Sequence, residues 1–144
     1  MFKRILVAVD GSATSNKALD LALQVARESD GCLRLVHSFD ELAYLNGFEV
    51  LPQLIADARE YAGEILRDGQ KLATNHRVPA DARLLEAPGR RLGELVGEAA
   101  RDFHADLIVV GTHGRRGIGR VALGSGAEQV IRTAPVPVLV VRGS

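Results

Sequence analysis

The chain has little of what several function classes require. One cysteine, Cys32, stands among 144 residues, which excludes an intramolecular disulfide and a cysteine-rich metal site and fits a reducing compartment, so a cytoplasmic protein is expected. Formal net charge is zero, from 18 basic and 18 acidic residues. The long-range field behind non-specific binding to nucleic acid or an anionic membrane is therefore missing, and neither is expected as a partner. Long apolar runs are absent too. The opening "MFKRILVAVDGS" places five apolar residues between Arg4 and Asp10, too few for the core of a secretion signal, and no run reaches the roughly 20 residues of a membrane-spanning helix. No Gly-Lys pair occurs, which excludes a P-loop, and neither a Gly-x-Ser-x-Gly elbow nor an HExxH pair is found.

What remains is a composition of 47% hydrophobic and 25% charged residues, enough for one domain over residues 1–144 with its own core. Short apolar runs alternate with stretches of helical period. "ILVAV" (5–9) is continuous and rich in branched residues, as a strand buried on both faces should be, and it stops at Asp10-Gly11. Further strands are expected at 32–38, 81–87, 106–111 and 136–141. Helices are expected at 14–28, from Leu51 to about Asn75, from Leu92 to Phe103, where Leu92, Leu95, Val96, Ala99, Ala100 and Phe103 keep the period, and at 125–133. Residues 39–52 have no clean period and read as a loop. Five strands alternating with four helices mean βαβ units: an α/β fold with a mainly parallel sheet covered on both faces. Ligands in such folds sit beyond the carboxyl ends of the strands, where strand order reverses, and Asp10 and Gly111 both fall on that edge.

The stretch after the fourth strand, "GTHGRRGIGRVALGSG" (111–126), carries six glycines, three arginines and no aromatic residue. Glycine admits close approach of the backbone to a ligand and arginine supplies donors, so phosphate is the first suspect. "GIGRVA" (117–122) satisfies the dinucleotide pattern, but that pattern belongs in the first βα turn and here it follows the fourth strand, so the match is taken as accidental. A second spacing is more specific: Gly111, two residues, Gly114, nine residues, Gly124-Ser125. With it, and with "ILVAVDGS", "LVHS", "ADLIVVGTHGRRG" and "APVPVLVVR" in this order, the chain resembles the universal stress protein family along nearly its whole length.

That resemblance implies a three-layer sandwich with five parallel strands in the order 3-2-1-4-5, binding ATP or another adenine nucleotide with Mg2+. Carried over residue by residue, the binding set is Ala8, Asp10, Ser38, Val110, Gly111, His113, Gly114, Arg115, Gly124, Ser125, Gly126 and Ala127. Asp10 would lie near ribose and metal, or could instead cap the first helix or fix a turn. Ser38 falls where the backbone reads the adenine edge. Ser125 would turn its helix's amides toward phosphate; Ser125 and Glu128 also form S-x-x-E, a capping box that needs no ligand. His113, Arg115, Arg116 and Arg120 are either phosphate contacts or solvated surface. Nucleotide-binding relatives commonly carry a hydroxyl residue where this chain has Ala127, so one phosphate contact is absent.

A phosphoryl-transfer enzyme would also need a group to orient the attacking nucleophile, and the loop offers no second carboxylate. Slow ATP hydrolysis at most is expected, with no catalytic residue assigned. The expected function is a nucleotide-binding regulatory module in stress response. The alternative is a dimeric interaction protein, since "PVPVLVV" coming last could be an apolar sheet edge, and the resemblance implies a homodimer through residues 136–141.

Overall fold

The computed structural model describes residues 1–40, 42, 45–46, 49–112 and 123–143; for 45, 46, 49 and 50 it describes the backbone. Eleven elements follow one another within these residues: β1 (Arg4–Ala8), α1 (Ala13–Ser29), β2 (Cys32–Phe39), β3 (Leu45–Asn46), β4 (Glu49–Val50), α2 (Pro52–Asn75), β5 (Ala80–Glu86), α3 (Leu92–Phe103), β6 (Leu107–Gly111), α4 (Ser125–Thr133) and β7 (Val138–Val141).

Five of the strands form one parallel sheet in the order β5-β2-β1-β6-β7. Counted by sheet strand alone this is 3-2-1-4-5, as expected from the resemblance. β1 is central, pairing Ile5 with Leu33 on one side and with Leu107 on the other. Its position explains its composition: Ile5, Leu6 and Val7 have no exposed surface, because helices cover both faces.

Alternation sorts the side chains into two cores. Ile5, Val7 and Val9 point with Leu33, Leu35, Leu107 and Val109 toward α1 and α2, where Ala18, Ala22, Leu66 and Ala73 meet them. Leu6, Val36, Ile108 and Val110 point the other way, toward Val96, Ala100 and Phe103 of α3 and Ala127 and Val130 of α4. Small residues on α1 let that helix lie close against β1 and β6, which fixes where its N-terminus emerges.

The loop expected over residues 39–52 holds a small antiparallel ladder instead, Leu45 opposite Val50 and Asn46 opposite Glu49. Strands of two residues are too short to show any period, so the sequence pattern gave no sign of them. The last strand is also shorter than expected. Pro135 and Pro137 delay it to Val138, although the Pro137 carbonyl already accepts from Ile108 N–H at 3.0 Å.

Candidate functional site

The two chain crossings at the middle of the sheet leave in opposite directions. β1 feeds α1 on one face, and the neighbouring β6 feeds α4 on the other. A crevice at the carboxyl ends of β1 and β6 follows from this divergence, and it is the switch point at which α/β sheets hold ligands.

On the β1 side the sequence Asp10-Gly11-Ser12 builds a turn from its own side chains. Asp10 Oδ1 accepts from Ser12 N–H at 2.9 Å, and Asp10 N–H donates to Ser15 Oγ at 2.9 Å. Gly11 has φ +83°, a left-handed conformation that favours glycine. The cap of α1 is Ser12, whose Oγ accepts from Ser15 N–H at 3.2 Å. Of the two structural roles open to Asp10, it is therefore the turn that forms. The turn holds the Asp10 carboxylate at the strand end, half-buried.

On the β6 side, Val110 and Ala127 have their side chains in the core with Val96 and Ala100. Any ligand contact from them is restricted to main-chain atoms. Gly111 ends the strand against the first turn of α1: a Cβ there would stand 2.7 Å from Thr14 Cγ2. Thr112 then joins three segments. Its N–H donates to the Val141 carbonyl at 2.9 Å, and its carbonyl accepts from Gly124 N–H at 2.6 Å. This second bond closes the ends of the segment 113–122 and sets the start of α4 beside the end of β6. His113, Gly114 and Arg115, with Arg116 and Arg120, lie outside the described residues.

At α4 the expected capping box does not form. Gly124 is the N-cap, no described side chain caps the helix, and Ser125 is the first helical residue, exposed to solvent. Glu128 instead pairs with Arg132 one turn on, Oε1 to Nη2 at 2.7 Å. The first intrahelical bond is Glu128 N–H to the Gly124 carbonyl, at 3.0 Å. The amides of Ser125, Gly126 and Ala127 precede it, so the helix itself gives them no partner. The positive end of the α4 dipole thus opens on the crevice with no cap from any described side chain.

Ser38 sits on β2 opposite Leu85 of β5, half-buried, one residue before the strand ends at Phe39. Ala8 is the last β1 residue in register with β2, opposite Val36. The described part of the predicted set, Ala8, Asp10, Ser38, Val110, Gly111, Gly124, Ser125, Gly126 and Ala127, lies along one edge of the sheet and at the adjoining start of α4.

Two contributors escape the sequence reading. Thr112 acts through its main chain, which leaves no residue-type signal. His37 acts through its ring, with Nδ1 2.6 Å from the Val9 carbonyl, and in sequence it is one of three polar residues, with Arg34 and Ser38, in that strand. Among the described residues, no group of three or more His, Cys, Asp or Glu side chains could hold a metal ion. A single carboxylate such as Asp10 still matches the donor set that Mg2+ takes when phosphates and water complete its shell. No helix among the described residues is long and apolar enough to cross a membrane.

Known proteins carry the same architecture. The model of the universal stress protein family matches residues 1–142. A Staphylococcus epidermidis protein bearing that family name is 36% identical over 143 residues, 98% of this chain and 84% of its own. The structure of a universal stress protein in complex with cAMP is 26% identical, covers 99% of each chain and superposes with a TM-score of 0.73. That of the Archaeoglobus fulgidus universal stress protein in complex with dAMP is 25% identical over 96% of this chain and 97% of its own, with a TM-score of 0.70. The chain belongs to the universal stress protein family.

Proposed function

We propose that the protein is an adenine-nucleotide-binding regulatory module, with ATP as the preferred nucleotide, and that it works as a homodimer. The observation that carries this reading is the start of α4. Three main-chain amides that no described side chain caps stand at the switch point, joined to the end of β6 through the bond from Gly124 N–H to the Thr112 carbonyl. Phosphate oxygens satisfy such amides and gain from the helix dipole. The relatives solved with cAMP and dAMP give the reading its ligand class.

Asp10, with one oxygen engaged by Ser12 N–H, would bind Mg2+ accompanying the nucleotide or the ribose. The bound metal would neutralise phosphate charge. Gly114, His113 and Arg115 would complete the phosphate side, and the main chain at Ser38 would meet the adenine. Ala127, buried by its methyl group, offers its amide and no hydroxyl. Binding followed by a change in loop or partner surface, with at most slow hydrolysis, is the expected output.

The second reading is a dimeric interaction protein for which the nucleotide is incidental. It rests on β7, four apolar residues at one edge of the sheet, with no described strand on its outer side. One experiment separates the two. Mass spectrometry of denatured protein and calorimetric titration with Mg-ATP are run on the wild type and on the Gly114→Val, Gly124→Val double variant. The first reading expects nucleotide with the wild type alone and a dimer in both. No binding by the wild type up to millimolar ATP leaves the interaction protein.

A further inference from the structure

We propose that His37 ends the β1–β2 ladder and thereby keeps the Ser38 peptide open for the nucleotide base, as a positioning residue. The base contact rests on the nucleotide reading above, whereas the ladder geometry stands by itself.

The ladder between β1 and β2 is made by alternate residues of β2. Cys32 N–H donates to the Lys3 carbonyl at 2.8 Å, and the last bond is Val9 N–H to the Val36 carbonyl at 2.9 Å. The odd residues of β2 face β5 instead, as Leu33 N–H does in donating to the Pro79 carbonyl at 2.9 Å. By this period of two, the N–H and C=O of Ser38 face the β1 side, as those of Val36 do.

One further step of the ladder would have Ser38 N–H donate to the Val9 carbonyl. The pairing stops before that step, at Ala8 opposite Val36. The Val9 carbonyl accepts from the His37 ring, Nδ1 to O at 2.6 Å. A carbonyl only accepts, so Nδ1 carries the proton. The ring thus supplies the bond that the next amide would have made, and β1 turns away into Asp10-Gly11-Ser12 with its last carbonyl satisfied.

The Ser38 peptide is left at the edge of the crevice with a donor and an acceptor side by side. That pair is complementary to the acceptor N1 and donor N6 of adenine, whereas guanine presents a donor and an acceptor in the opposite sense. His37 would therefore govern base affinity without touching the base. Its loss should let Ser38 N–H close onto Val9 and extend the ladder by one bond.

The test uses full-length wild type, His37→Leu and His37→Asn, since an asparagine amide can donate from nearly the place of Nδ1. Amide hydrogen exchange is measured without nucleotide, and affinities for ATP and inorganic triphosphate are measured separately. In the wild type Ser38 should exchange about tenfold or more faster than Val36, and His37→Leu should slow it. His37→Leu should weaken ATP about tenfold, the worth of one hydrogen bond, with triphosphate binding unchanged. His37→Asn should restore both.

Protection of Ser38 equal to that of Val36 in the wild type would overturn the proposal. So would a His37→Leu protein that exchanges and binds like the wild type, or that loses ATP and triphosphate equally. A wild type that binds no ATP would defeat the nucleotide reading and the base role, and Ser38 exchange would then decide the ladder role alone.

Discussion

Gly111 shows how a residue can match a binding motif for a reason of packing. Its missing Cβ leaves the space that Thr14 fills on the first turn of α1, at a would-be distance of 2.7 Å. Gly111→Ala should therefore destabilise the fold by about 1–3 kcal/mol, the usual cost of overpacking a tight contact. Thr14→Ala in the same chain should recover most of that loss, and denaturant unfolding of the three variants checks it. A single and a double variant of equal stability would mean that the glycine is needed for something other than room. The motif was legible at this position because spacing is a property of sequence. The reason for the glycine was not, because Thr14 lies 97 positions away along the chain. The same holds at Ser125, whose S-x-x-E pattern is genuine while the helix starts one residue earlier than the box requires and Glu128 turns to Arg132.

Strands and helices were legible where they are long and two-sided. The period of α3 and the unbroken apolar run of β1 both report burial, and burial is what the fold imposes on them. The ladder of β3 and β4 is too short to carry a period, and the closing bond between Thr112 and Gly124 involves main-chain atoms common to every residue type. At the far end of the sheet, β2 and β5 are tied by side chains: Arg34 holds Asp81 through Nε to Oδ1 and Nη2 to Oδ2, both at 2.8 Å, and lies over the Phe103 ring of α3. The hydrogen bond from Arg34 holds the Asp81 carboxyl below its ordinary value, more than burial raises it. The folded value is depressed, so the contribution to stability is full above the unfolded value of about 3.9 and is lost as pH falls through and below it. Asp81 is part-exposed, which keeps the effect small through solvent screening. Asp81→Asn should flatten the stability curve between about pH 5 and pH 2 relative to wild type. Unfolding midpoints across that range test it, and an unchanged slope would mean that the pair adds nothing to the acid limb.

At the scale of the whole molecule, the sheet topology sets one switch point, between β1 and β6, and among the described residues the sheet ends in β5 and β7. At the β7 edge the bonds from Ile108 N–H to the Pro137 carbonyl and from Thr112 N–H to the Val141 carbonyl show that odd residues face β6. Val138 and Val140 therefore turn their main-chain groups outward. Val140→Pro removes one outward N–H while leaving the β6 ladder intact. If the dimer forms through this edge, sedimentation should show the variant shifted to monomer with its fold retained, and an unaltered dimer would move the interface elsewhere. The family and the fold could be read from residue order, because five strands and four helices in alternation admit few topologies. The chemistry at the switch point depends on which amides the packing leaves open. The most direct measurement of it is calorimetric titration of the wild-type protein with Mg-ATP. One site per chain is predicted, with an unfolding temperature that rises with ATP concentration as binding to the folded state requires; no heat and no thermal shift up to millimolar ATP would contradict it.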